Sequence, residues 1–388
     1  MVKLNENIVN MNNDNSFLKV KEKVNKYRLK KTDANIISLG VGDVSLPIVR
    51  PVIDAMHMAV QDLSNIDTFK GYDTSFGYDF LKERILSNDY PYMNFTNDEI
   101  YISCGTKTDI TSILELFDIN SKICLASVMY PVYQSGALSL NRNVTVLDVN
   151  EDNHFIPNIP KEGYDIIYIC SPNNPTGVCY SYDELEKWVK YAIDNQAVIL
   201  YDNVYNSFVS SKDIPKSIYE IDGAKKVAIE FRSFSKAASF TGVRCSYYVI
   251  PNEINNNINK IWKKRLNNRF NGADYIAQVG AAATYSEKAK KEIQENIKYY
   301  KENVKILYDF FLRHGYKVYG GTDAPFLWVK IKNEMTSWQF FDFLLEKFNI
   351  VVIPGIVFGM DGDKFFRISG LASRKVIMEA IERMSKLI

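Results

Sequence analysis

The 388-residue chain predicts an α/β fold, with a mostly parallel sheet flanked by helices in a large domain and a smaller α+β domain beside it. Three observations predict this. Short apolar runs recur at intervals, helix-period segments lie between them, and from about residue 284 a long charged helix leads into short strands. Strand–helix alternation implies a parallel sheet covered on both faces.

The apolar runs are "NIISLGVG" (35–42), "EIYISCG" (99–105), "KICLAS" (122–127), "DIIYICS" (165–171), "AVILYD" (197–202), "KVAIEF" (226–231) and "CSYYVIP" (245–251). Each has strand length, several are apolar at consecutive positions, and most end in a polar or glycine turn. That is the pattern of strands buried on both faces. Between them, "SYDELEKWVKYAIDN" (181–195) sets Leu185, Trp188, Val189 and Ala192 on one helical face, with Ser181 and Glu184 at capping-box spacing. "RPVIDAMHMAVQ" (50–61) carries Pro51 where a first helical turn accepts it. "NEINNNINK" (252–260) reads as a loop. Residues 286–315 read as one long amphipathic helix and "FLWVKI" (326–331) as a strand. The expected domains are an N-terminal arm (1–34), a large domain (35–283) and a small C-terminal domain (284–388) packed with the arm.

Composition excludes several classes. The apolar and charged fractions, 46% and 24%, are those of an ordinary globular protein. A formal net charge of +1 gives no field that would gather nucleic acid or an anionic membrane. The five cysteines form no CxxC pair and are odd in number, so reduced thiols in an intracellular protein are expected. His57, His154 and His314 lie far apart, and no metal site is expected. The polar, Asn-rich start has no signal-peptide core, and no window is long enough to span a bilayer. A soluble, cytoplasmic protein is the expectation.

In open α/β sheets ligands bind beyond the carboxyl ends of the strands. There the chain places "SPNNPTG" (171–177), Asp202, "RSFSK" (232–236) and "CGTKTDI" (104–110). Singly these could be a turn, a helix cap and a surface charge. Lys236 stands out. It sits among Ser, Ala and Phe between Arg232 and Arg244, with no acid after Glu230, and both burial and like charge disfavour its ammonium form. One cofactor, pyridoxal 5′-phosphate, needs all of these groups. It requires an amine for a Schiff base (Lys236) and a carboxylate to keep the ring nitrogen protonated (Asp202). It requires donors to the ring hydroxyl (Asn174, Tyr205) and a flat ring over its face (Tyr130). Its phosphate requires N–H groups, hydroxyls and an arginine, met by Gly105, Thr106 and Lys107 opening a helix, Ser233 and Arg244. The amine freed when substrate displaces it then serves as the base at Cα.

At these residues the sequence resembles the fold-type I pyridoxal-phosphate aminotransferases, and more narrowly the LL-diaminopimelate aminotransferases. The resemblance runs through "ISLGVGDVSLPI" (37–48), "FKGY" (69–72), "YPVY" (130–133), "DIIYICSPNNPTG" (165–177), "SIYEIDGAKKVAIEFRSFSK" (217–236), "FTGVRCSYYVIP" (240–251), "RFNGADYIAQ" (269–278) and "FFRISG" (365–370). It implies a transaminase acting on an amino acid and a 2-oxo acid, with 2-oxoglutarate as the usual acceptor. It implies the roles already given and adds Arg367 as the clamp on the substrate carboxylate, with Gly42 and Asn174 nearby. It further implies a homodimer with shared sites, in which Tyr72 reaches the neighbour's phosphate and Asn271 the neighbour's substrate.

The chain also departs from that pattern. Ser75 stands in "GYDTSFGY" where a substrate-reading Glu is expected, and "NSFLKVKEKV" (15–24) lacks the family's Tyr-Leu-Phe-Pro-like stretch. Asn203, Ser239 and Ser246 replace small residues. A lyase with this cofactor fits the same motifs; a binding protein without turnover is a third class, against which the intact Lys236, Asp202 and Arg367 argue. A nucleotide site does not, since "GVGD" and "CGTK" have neither GxGxxG nor GxxxxGK[ST] spacing.

Overall fold

The computed structural model describes residues 2–9, 16–40, 42–72, 75–254 and 257–385. The larger sheet is built from β1 (Ile100–Ser103), β2 (Ile123–Ala126), β3 (Val144–Leu147), β4 (Ile166–Cys170), β5 (Val198–Asp202), β6 (Ala228–Ser233) and β7 (Ser246–Val249). Its order is β1-β7-β6-β5-β4-β2-β3. Only β7 runs antiparallel to its neighbours, pairing with β1 and β6; the rest is parallel.

Alternate residues of one strand enter different cores, which explains the continuous apolar runs. Ile167, Ile169, Ile199 and Tyr201 pack with Leu185, Trp188 and Val189 of the helix Tyr182–Asp194. Ile166, Tyr168, Val198 and Leu200 pack on the other face with Ile110 and Trp262. That helix is capped as its sequence predicts: Ser181 Oγ accepts from Glu184 N (3.3 Å) and Glu184 Oε2 from Ser181 N (2.7 Å). Loss of such a cap costs about 1 kcal/mol.

A second, antiparallel sheet comprises β8 (Val318–Gly320), β9 (Phe326–Lys330), β10 (Ile353–Pro354) and β11 (Phe365–Ser369), in the order β10-β11-β9-β8. The helices Phe17–Lys30, Glu287–Arg313, Ser337–Phe348 and Arg374–Met384 contribute to the core around it. Among the described residues no helix is long and apolar enough to cross a membrane.

Three local expectations are corrected. Among the described residues of the 35–42 run none joins either large sheet, and only Ile37–Ser38 is extended, pairing in parallel with Ile350–Val351. Strand β3 was not foreseen, because this edge strand is half-exposed and carries no continuous apolar signal. The polar stretch after residue 252 turns helical at Ile258, where Ile258, Trp262 and Leu266 point inward at helical spacing.

Candidate active site

The parallel strands β4, β5 and β6 end side by side, with Cys170 opposite Asp202 and Asp202 opposite Phe231. Beyond those ends lies a cavity of about 430 Å³.

Strand β6 passes directly into a single helical turn, Phe234–Ala237. Ser233 remains extended and its Oγ accepts from Ser235 N (3.1 Å), which fixes the turn and directs Lys236 to the cavity. The half-buried amine of Lys236 donates to the carbonyl of Gly42. Burial pulls it down to about 8; Asp43 opposes this, while Arg367 and Arg244 add to it. An amine so placed is neutral enough to act as a nucleophile or base at moderately alkaline pH.

Asp202, at the end of β5, is 5% exposed. Its Oδ2 accepts from the Tyr133 hydroxyl at 2.5 Å and its Oδ1 from Val204 N at 3.3 Å. Burial pushes the carboxyl up to about 6, and those two hydrogen bonds resist the shift. Asn174 and Tyr205 line the same space. Tyr205 is buried edge-on against Phe326, with ring centroids 5.0 Å apart. Tyr130 flanks the cavity and meets Tyr133 edge-on at 5.8 Å.

The opposite end is cationic and more open. Thr106 begins the helix Thr106–Ser112, and its hydroxyl donates to the carbonyl of Arg232 (3.0 Å). Arg244, at φ 67°, donates through Nη1 to Ser235 Oγ (3.3 Å) and to the carbonyl of Thr241 (3.2 Å). Gly105, at φ 153°, holds a backbone conformation that L side chains rarely adopt, and a Cβ there would displace the Arg244 guanidinium. Lys107 and Ser233 complete this end.

Arg367 enters from β11, in the other sheet, and is 3% exposed. Its Nη1 donates to Asn174 Oδ1 (2.6 Å) and its Nη2 to the carbonyl of Gly40 (2.7 Å). Nε is buried with no partner. The rings of Phe358, Phe326 and Phe17 lie 5.0, 5.5 and 5.8 Å from the guanidinium carbon. No carboxylate among the described residues pairs with this cation. A buried, uncompensated guanidinium is costly unless an anionic ligand completes it.

The structure thus gathers Gly42, Thr106, Lys107, Tyr130, Asn174, Asp202, Tyr205, Ser233, Lys236, Arg244 and Arg367 around one cavity, with Gly105 directly behind Arg244. It does not bring Tyr72, Ser75 or Asn271 to the cavity of the same chain. Tyr72 is 89% exposed, Asn271 is exposed and Ser75 half-buried. Several lining residues escaped the sequence reading, among them Asp43, Cys170, Thr241, Tyr133 and Phe17. Tyr133 lies within the quoted "YPVY", but only the register of its helix turns it toward Asp202. Phe17 opens the helix Phe17–Lys30 and has no neighbour in sequence that hints at a site.

A family model for aminotransferase class I and II matches residues 34–384. The chain is 40% identical over 407 residues to an LL-diaminopimelate aminotransferase of Methanosphaera stadtmanae, covering 100% of this chain and 99% of that protein. It is 42% identical to one from Prochlorococcus marinus, with 99% of each covered. Among solved structures, L,L-diaminopimelate aminotransferase from Chlamydomonas reinhardtii superposes with a TM-score of 0.94 at 36% identity, covering 100% of this chain and 98% of that one.

Proposed function

Because the chain belongs to the class I and II aminotransferases and is an enzyme of amino-group transfer, we propose that it works with pyridoxal 5′-phosphate on Lys236 and passes the amine of an L-amino acid to 2-oxoglutarate, with LL-diaminopimelate as the first candidate donor. The observation that carries this reading is the convergence on one cavity of a half-buried lysine amine, a buried aspartate and a buried arginine without an acidic partner.

The donor set fits the cofactor. Lys236 would hold its aldehyde carbon, Asp202 its ring nitrogen, Asn174 and Tyr205 its ring hydroxyl, and Tyr130 its face. Thr106, Lys107, Ser233 and Arg244 would take its phosphate, in the space that Gly105 leaves for the guanidinium. Once bound, the cofactor supplies an electron sink for the Cα carbanion and a carrier for the amino group. The chain does the rest. Arg367 binds the α-carboxylate and so fixes which Cα bond faces the ring. Lys236 Nζ would take the proton from Cα and hand it on within the same half-reaction, and would run that transfer in reverse for the acceptor in the second. Asp202 keeps positive charge at the ring nitrogen, and the three phenylalanine rings keep water from Arg367.

The exposure of Tyr72 and Asn271 supports a homodimer in which Tyr72 reaches the phosphate end of the partner's cavity and Asn271 approaches the partner's substrate. The five cysteines, none of them in a disulfide, support a cytoplasmic enzyme. Ser75 favours a second reading, in which the donor is a different L-amino acid. A buried charged contact of the kind it lacks is worth about 1.5–3 kcal/mol, or roughly ten- to a hundredfold in discrimination. The test is a donor panel, including LL- and meso-diaminopimelate, offered to the reconstituted protein with and without 2-oxoglutarate. Spectral conversion by an amino donor, reversed by 2-oxoglutarate, is the expected result. Ammonia and an oxo acid formed without any acceptor would replace transamination by elimination, and a colourless protein that takes up no cofactor would end the reading.

A further inference from the structure

Asp202 is a carboxylate with few donors. Tyr133 supplies its single short hydrogen bond, while Val204 N is farther away. The titratable groups that face it are Tyr130 and Tyr133 from the segment opening the helix Val132–Ser139, Cys170 from β4, and Tyr205 after its own strand. All four become anions when they ionise, so none balances a carboxylate. Of the cations lining the cavity, Lys236 is bonded to Gly42, Arg367 to Gly40 and Asn174, and Arg244 to Ser235 and Thr241, while Lys107 lies at the other end. A buried carboxyl in such company takes up a proton unless a donor prevents it.

Tyr133 is built to be that donor. It is 1% exposed and stacks on Tyr168, with centroids 4.9 Å and planes 13° apart. Burial and the adjacent carboxylate push its phenol well above the ordinary range, so the proton stays on tyrosine and is shared toward Asp202. From this geometry we infer that Tyr133 is a positioning residue for amino transfer, holding Asp202 ionised and oriented for the ring nitrogen of the cofactor. The inference rests on the cofactor reading above and goes beyond it by assigning a residue that acts through Asp202.

Tyr133→Phe keeps the stacked ring and removes only the hydroxyl. Losing a hydrogen bond to the charged form raises the carboxyl's pKa, so the acid limb of kcat should move up by about one pH unit. Near pH 6.5 the affinity of the apoprotein for pyridoxal 5′-phosphate should fall about tenfold, and in the holoprotein the ¹⁵N resonance of labelled cofactor should move toward neutral pyridine. The KM for the amino donor should change less than twofold. Tyr219→Phe is the control: it deletes another buried hydroxyl, one that bonds the carbonyls of Ala228 and Val249, and should leave all three readouts unchanged. Should Tyr133→Phe fold poorly, 3-fluorotyrosine at position 133, a stronger donor, should move the acid limb downward. An unshifted acid limb in either Tyr133 variant, or the same shift in Tyr219→Phe, overturns the inference while a coloured, active parent leaves the cofactor reading standing. A parent protein that takes up no cofactor overturns both together.

Discussion

The two ends of the cavity are made differently. The end holding Lys236 and Asp202 is the edge of one sheet, where neighbouring strands stop in register and each delivers a side chain. The end holding Arg367 is assembled from parts far apart in the chain: β11, the Gly40 carbonyl, the Asn174 amide and Phe17 at the start of a helix. One is fixed by hydrogen-bonded strand pairing, the other by contacts across a seam between two sheets. Strand register resists displacement, whereas packed surfaces between separate units are where relative motion is cheapest. On the proposed reading, the chemistry is lodged in the stiff half and substrate selection in the composite half.

Substitutions should divide along this line. Lys236→Ala at the stiff end should abolish turnover, by a thousandfold or more. It should also remove the absorbance band of bound cofactor while circular dichroism and melting stay close to the parent; retained activity would break the assignment. Asp202→Ala should lower kcat by about a hundredfold or more while cofactor still binds, since a buried electrostatic partner is lost. At the composite end Arg367→Lys should act mainly on binding. It replaces a planar fork by a point charge and should raise the KM for amino donor and oxo acid by about ten- to a hundredfold, with a smaller change in kcat. A larger fall in kcat than rise in KM would erase the division. Ser75→Glu should sharpen it, improving kcat/KM for diaminopimelate by about tenfold over other donors; unchanged preference would remove Ser75 from the account of specificity. The smallest effect is one of pH. Since the Lys236 amine is pulled down to about 8, its neutral, reactive form grows as pH rises toward that value. Stopped-flow recombination of apoprotein with cofactor should accelerate severalfold from pH 7 to 8 and level off above it.

The same division decides what could be read from sequence. Strands buried on both faces announce themselves as unbroken apolar runs, so the ends of β4, β5 and β6 could be found and their polar residues examined. Lys236 was conspicuous for its lack of acidic neighbours. Edge strand β3 was not, because half its residues face water. Arg367 was legible only through resemblance to a family: in "FFRISG" nothing local distinguishes a clamp from a surface arginine, and its burial is a product of the β9 and β10 strands that flank it. Tyr133 and Phe17 depend on helix register and on a contact spanning most of the chain, neither of which has a local signature.

The guanidinium of Arg367 is surrounded by dipoles and aromatic faces but by no negative charge of its own. Whatever small acid arrives first will satisfy it. If Arg367 holds the substrate carboxylate as proposed, amino donor, oxo acid acceptor, spent product and a carboxylate buffer such as acetate should all compete for that one position, and an excess of any of them should slow the half-reaction that needs another. Parallel double-reciprocal plots that bend upward at high acceptor concentration, and faster turnover when acetate is exchanged for an amine buffer, would be the kinetic mark of that competition.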